Sequence, residues 1–291
     1  MVAVVGRANA GKSTLVNVLV GEKVSIVSPR PQTTRDRIMG VLTREDYQIA
    51  FVDTPGIYKA SNMLNSVMQK ATVDTANDTD LILLVVDAHD GLTDKDFKII
   101  ENYSKSQIPV VLALTKTDIV SESLLVSEIK KLASLKLEIV PVSARKGKNL
   151  KELIKVILSY LPAGEKLFSE DIISDRSESF MVSEIIREKI LLKFDEEIPH
   201  GVAVLINKFK LSENKNFYDI NVDIVCEKPN HKAILIGKGG KAIKEFASFA
   251  RQDLEKFLGK KVFLTTYVRV KEDWRNSAYL IKEHGYGEQD V

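Results

Sequence analysis

MVAVVGRANAGKST, residues 1–14, joins a short apolar run to a loop bracketed by Gly6 and Gly11, with Lys12 and Ser13 following at once. Gly6-x-x-x-x-Gly11-Lys12-Ser13 is the full P-loop pattern. It stands after the strand-like VAVV (2–5) and opens the helical KSTLVNVLVG (12–21). A turn of this kind aims backbone N–H groups at a β-phosphate, and its glycines let the chain come close. The candidate cradle is Gly6, Arg7, Ala8, Asn9, Ala10, Gly11, Lys12, Ser13 and Thr14. Lys12 would neutralise β/γ charge and Ser13 would offer a hydroxyl to Mg²⁺. The helix N-terminus adds partial positive charge. In that helix Leu15, Val18 and Leu19 are expected to share the buried face, and Gly21 to cap the end. A chance glycine turn is the alternative; strand, helix and Lys-Ser in register argue against it.

Outward from the loop, strand-like runs alternate with helical ones to about residue 160. The strands are 38–42, 47–53, 81–87, 109–115 and 137–142, and 150–160 is a last helix halted before Pro162. Continuous Val/Ile/Leu runs suit parallel strands buried on both faces, so the first block is an open α/β sheet. Three more motifs sit where its strands end. Asp53-Thr54-Pro55-Gly56 places a carboxylate in the second shell of Mg²⁺ and the Gly56 N–H near the γ-phosphate. Thr115-Lys116-Thr117-Asp118 supplies a carboxylate that accepts from guanine N1–H and the N2 amine, a donor pair adenine lacks. The stem of Lys116 packs along the base. Ser143-Ala144-Arg145 offers a backbone N–H to the guanine carbonyl. Ligands of open α/β sheets bind at this carboxyl edge.

The whole chain has 291 residues, a net charge of +2 and one cysteine, Cys226. The length argues for two domains. One cysteine excludes an internal disulfide framework and fits a reducing, cytoplasmic setting. No apolar run approaches the roughly 20 residues of a membrane span, and no basic region precedes an apolar core as in a signal peptide.

Residues 161–180 are polar and acidic and read as a linker. The pattern then changes. A helix at 181–192, a strand at 202–210, a turn at 212–216 and a strand at 219–225 precede a short apolar segment (233–236), a glycine turn, a helix at 242–258 and a strand at 262–270. Ile220, Val222 and Ile224 alternate onto one face. The order is α-β-β-α-α-β, as in a type II KH domain. Net charge is −5 over 166–227 and +7 over 228–275, a local face for an anionic partner. Gly237-Lys238-Gly239-Gly240 lies in the basic stretch, and in KH modules a G-x-x-G loop clamps single-stranded backbone. Lys232, Lys241, Lys244 and Arg251 extend the positive surface. Ala233, Ile234 and Ile236 read as core in preference to groove, and Trp274 as a cover of the core edge in preference to a base-stacking ring. A helical tail follows at 277–284, and the scattered histidines give no zinc site.

On GRANAGKS, QTTRDR (32–37), DTPGI (53–57), TKTD, SAR and the second block, the chain resembles a translation-factor-type GTPase, closely the bacterial Era family. The resemblance implies a Ras-like GTPase domain (1–162), a linker (163–180), a type II KH domain (181–275) and a tail (276–291). It implies binding of GTP/GDP with Mg²⁺, and hydrolysis in which Lys12, Thr34 and Gly56 serve catalysis. Ser13 and Thr34 would ligate the metal, with Asp53 acting through water. Asn9 either helps hold a potassium ion beside the phosphates or shapes the turn. The implied partners are 16S ribosomal RNA near its 3′ end and the 30S subunit during assembly. A peripheral membrane contact stays open, and a monomer is expected. Two residues depart from the commonest pattern: Thr115 replaces asparagine, which implies a looser base pocket, and Ile57 cannot orient the attacking water, which implies either slow hydrolysis or reliance on another group, with Asn9 the candidate. The rival from another class is a constitutive RNA-binding protein with a vestigial nucleotide pocket.

Overall fold

The computed structural model describes every residue except Lys59, Asp90, Lys136, Asn214, Lys215 and 287–291. Two residues of the turn read at 212–216 therefore lie outside the described residues, as does the end of the tail. The chain forms two units. One comprises Met1–Val27, Thr34–Ala60 and Met68–Asp175; the other comprises Ser28–Thr33, Ser61–Val67 and Arg176–Val291.

The first unit runs β1 (Val2–Gly6), α1 (Lys12–Val20), β2 (Ile38–Thr43), β3 (Gln48–Asp53), α2 (Met63–Asn77), β4 (Leu81–Asp87), α3 (Asp94–Ser104), β5 (Val110–Thr115), α4 (Glu122–Leu132), β6 (Glu138–Pro141) and α5 (Leu150–Tyr160). Its six strands lie in the order β2-β3-β1-β4-β5-β6, all parallel to their neighbours except β2. The apolar runs have their cause in two-sided burial. Val2 and Val4 pack into one cluster with α1 and α5, while Ala3 and Val5 pack into the other with α3 and α4. Each fully buried aliphatic side chain contributes about 1.5–3 kcal/mol. The helix α1 buries Leu15, Val16, Leu19 and Val20, whereas Val18 is 40% exposed. The expectation for Val18 is corrected: Lys12 is drawn inward at the helix start, which turns the buried face toward 12, 15, 16, 19 and 20. Gly21 ends the helix in the left-handed region, its N–H donating to the Asn17 carbonyl. The acidic segment read as a linker runs along the outer edge of β2. There the Val41 N–H donates to the Ile173 carbonyl at 2.8 Å and the Phe168 N–H to Gln48 Oε1 at 2.9 Å, so an exposed strand edge is covered.

The second unit contains α6 (Glu178–Lys193), β7 (Ala203–Ser212), β8 (Phe217–Cys226), α7 (Pro229–Ile236), α8 (Lys241–Leu258), β9 (Lys261–Val270) and α9 (Ala278–Glu283). The sheet order is β7-β8-β9, with β7 antiparallel and β9 parallel to β8. Ile220, Val222 and Ile224 are fully buried against α6 and α8. The short apolar segment at 233–236, counted as a helix in the α-β-β-α-α-β order, is the end of a longer one, α7. Pro229 starts it at a position whose missing N–H has no intrahelical partner to lose. Trp274 is fully buried, and its indole N–H donates to the Gly201 carbonyl at 2.9 Å, which makes it a core residue.

Candidate functional site

Gly6 ends β1 at φ 152°, and a Cβ there would lie 2.2 Å from the Val85 carbonyl oxygen, so only glycine fits. The loop closes into α1, whose first residue, Lys12, is 6% exposed. Lys12 Nζ donates to the carbonyls of Gly6 (3.1 Å) and Arg7 (3.0 Å). Burial pulls its pKa down to about 8, against the opposing charge of Asp53. Beneath the loop, Ser13 Oγ donates to Asp53 Oδ2 at 2.6 Å. Thr34 Oγ1 lies 2.9 Å from Ser13 Oγ and 3.3 Å from Asp53 Oδ2. Burial raises the Asp53 pKa, with Lys12 and the Ser13 hydrogen bond opposing the shift. Asp53 Oδ1 is buried without a hydrogen-bond partner. An orphaned carboxylate oxygen costs about 1–3 kcal/mol or more. A hard cation at the two hydroxyls would compensate it, and an all-oxygen donor set suits Mg²⁺.

The segment after β3 is pinned to the loop. Thr54 Oγ1 donates to the Val4 carbonyl at 2.8 Å, so its hydroxyl is spent on β1. A Cβ on Gly56 would fall 2.6 Å from Ala8 Cα, and the Ile57 N–H donates to the Gly6 carbonyl at 3.0 Å. The Arg7 side chain takes no part in the cradle. Its Nη1 donates to Asp96 Oδ2 (2.8 Å) and Thr93 Oγ1 (3.1 Å) at the start of α3, which ties the loop to that helix.

At the base end, Thr115 Oγ1 lies 2.7 Å from the Ala10 carbonyl and 3.0 Å from that of Val86. The single hydroxyl thus replaces the tie to the P-loop that asparagine would give. Asp118 Oδ1 accepts from Ser143 Oγ at 2.6 Å, and this bond holds its pKa below the ordinary carboxylate value. Ser143 Oγ also accepts from the Lys146 N–H at 3.1 Å, which shapes the loop carrying Ala144 and Arg145. Lys116, at φ 58°, is ion-paired with Asp87 at the end of β4. Sequence reasoning missed Asp87; its one signal was a carboxylate closing the apolar run LILLVVD.

In the second unit, Gly237, Gly239 and Gly240 all have positive φ, between α7 and α8. Lys232, Lys238, Lys241 and Lys244 are exposed, and none has an ion pair among the described residues. Arg251 is paired with Glu255 at 3.3 Å and contributes less free charge. Ala233 and Ile234 are exposed, and Leu235 takes the core position. The preference for core at 233 and 234 is corrected: one residue of helical phase puts Leu235 inward and leaves these two as apolar surface beside the glycine turn.

Two family models match, one described as a 50S ribosome-binding GTPase over residues 1–116 and one as a KH domain over 197–275. Among relatives, the chain is 45% identical over 289 residues to GTPase Era of Clostridium novyi (strain NT), covering 99% of this chain and 98% of that one. The chain belongs to the GTPase Era family. GTPase Era of Alkaliphilus oremlandii is 46% identical over 288 residues, with 98% and 97% coverage. Two solved Era structures match at 40% identity, each covering 99% of this chain and 98% of that chain. One is Era in complex with MgGDPNP and nucleotides 1506–1542 of 16S ribosomal RNA, at TM-score 0.95. The other is an Aquifex aeolicus Era variant bound to GDP·AlF4⁻, at TM-score 0.94. The resemblance read from the motifs is thereby borne out, as are the P-loop GTPase sheet and the smaller KH domain. The protein is a GTPase of this family, with a KH domain over residues 197–275. No helix among the described residues is long and apolar enough to cross a membrane.

Proposed function

We propose that the carboxyl edge of the six-stranded sheet binds GTP and that the glycine turn of the second unit binds 16S ribosomal RNA near its 3′ end, in the assembly of the 30S subunit. The domain limits proposed are those read from the sequence, with the protein acting as a cytoplasmic monomer. The observation that carries the nucleotide half is the convergence of Ser13, Thr34 and Asp53 beneath Lys12, with Asp53 Oδ1 left unpartnered. Backbone N–H groups of residues 6–14 hold the phosphates. Lys12 neutralises charge on the leaving and transferred phosphoryl oxygens, and the Gly56 N–H meets the γ-phosphate. Mg²⁺, held by Ser13 and Thr34 with Asp53 behind them, supplies further neutralisation when bound. Ser143 keeps Asp118 ionised and oriented for guanine. Ile57 offers no polar group to the attacking water, so turnover is slow unless another group positions that water.

The RNA half is supported by four exposed lysines without ion pairs around the glycine turn, with apolar Ala233 and Ile234 beside them. The 16S ribosomal RNA fragment held by the similar Era structure has the matching chemistry. Phosphate release measured with GTP and with ATP, each with and without Mg²⁺, tests the enzymatic half. Release from GTP alone, lost with chelator, is expected. No release under any condition favours a vestigial pocket.

A further inference from the structure

Ser28–Thr33 folds with the second unit, although Val27 before it and Thr34 after it belong to the first. What holds it is Arg187 of α6, whose side chain is 1% exposed. The guanidinium is forked onto Glu184, with Nε to Oε1 at 2.7 Å and Nη2 to Oε2 at 2.5 Å. From the same fork, Nη2 donates to the Thr33 carbonyl, and Nη1 lies 3.5 Å from the Gln32 carbonyl. Gln32 sits at φ 60°, a left-handed conformation rare for a residue with a side chain. Thr33 Oγ1 donates to the Arg30 carbonyl at 2.7 Å, and Arg30 is ion-paired with Asp195. A buried ion pair contributes little net stability, because desolvation offsets its attraction. This one is spent on two main-chain carbonyls of a strained turn. One peptide further on, Thr34 places its hydroxyl 2.9 Å from Ser13 Oγ and 3.3 Å from Asp53 Oδ2.

We propose that Arg187 is a positioning residue for Thr34: by gripping the Thr33 carbonyl it fixes the register in which the Thr34 hydroxyl meets the Mg²⁺ of the triphosphate state. The inference rests on the reading of Thr34 as a metal-binding residue. Its chemistry is specific to a planar fork. A lysine at 187 keeps a charge for Glu184 but cannot hold carboxylate and carbonyl in one fixed geometry. A grip of this kind acts on the triphosphate complex and leaves the diphosphate complex alone, because Thr34 has no γ-phosphate-linked metal to meet in the latter.

The test measures affinities for a non-hydrolysable GTP analogue and for GDP by calorimetry, in the full chain with Mg²⁺, alongside melting temperatures. Arg187→Gln and Arg187→Lys are expected to lower the triphosphate-to-diphosphate affinity ratio about three- to tenfold, the size of one lost hydrogen bond, with GDP affinity unchanged. Arg187→Lys keeps the test open if Arg187→Gln fails to fold. A merely structural arginine would lower the melting temperature and leave the ratio at the wild-type value, and that result overturns the proposal. Thr34→Ala separates the two levels. If it lowers the ratio while the Arg187 variants do not, the positioning role alone fails. If Thr34→Ala leaves the ratio unchanged, the reading of Thr34 falls and the proposal with it.

Discussion

Asp118→Asn is expected to turn the preference of this protein from GTP toward XTP. On the proposed reading the carboxylate of Asp118 would accept from the guanine N1–H and N2 amine, and the Ser143 hydroxyl 2.6 Å away holds it below the ordinary carboxylate pKa. An asparagine in the same place keeps the bond from Ser143 through its amide oxygen. Its NH₂ then confronts the N2 amine, donor against donor. One charge-assisted hydrogen bond gives way to a donor–donor contact and the other loses its charge assistance, together about 3 kcal/mol or more, so GTP affinity should fall about 100-fold or more. Xanthine carries a carbonyl where guanine carries that amine, and the new amide donates to it. Competition of GTP and XTP for a fluorescent nucleotide reads the switch. An unchanged preference removes Asp118 from the base pocket.

The second large effect is expected in the other unit. Gly239→Asp sets a negative charge among Lys232, Lys238, Lys241 and Lys244, all exposed. The fold should tolerate it. A Cβ at Gly239 meets nothing within 4 Å, and its φ of 61° is one that aspartate adopts at a cost of about 1 kcal/mol. Gly237 would be a poor choice, because a Cβ there comes within 2.7 Å of the Ala242 Cβ. Binding to a single-stranded ribosomal RNA fragment should weaken about tenfold or more at low salt, with a salt slope shallower by about one. Nucleotide affinity should not change. Anisotropy titrations at several salt concentrations measure both quantities, and equal RNA binding by the variant would remove the glycine turn from the interface.

Both candidate sites were legible in the sequence wherever the signal is local. The P-loop, DTPG, TKTD and SAR motifs each carry their chemistry within a few residues, and the apolar runs between them are long enough to mark buried parallel strands. The order of elements in the second unit was readable for the same reason. What escaped depends on partners far along the chain. Arg7 looks like any loop residue until α3 brings Asp96 to 2.8 Å. Asp87 looks like a strand terminator until β5 runs beside β4 and delivers Lys116 to it. Val18 obeyed helical spacing, yet the inward pull of Lys12 set the phase of α1. Ala233 and Ile234 were apolar by composition, and only the docking of Leu235 shows which face of α7 is inside. Arg187 sits in a helix that also carries Glu184, Glu188 and Lys189, while 154 residues separate it from the Thr33 carbonyl. No window of sequence contains that contact.

The most direct measurement is a crystal structure grown with Mg²⁺ and a non-hydrolysable GTP analogue. It should show guanine against Asp118, the triphosphate under the amides of residues 6–14, and Mg²⁺ at about 2.1 Å from the Ser13 and Thr34 hydroxyls with Asp53 behind them. An empty loop between β1 and α1, or a metal held by other residues, would contradict it.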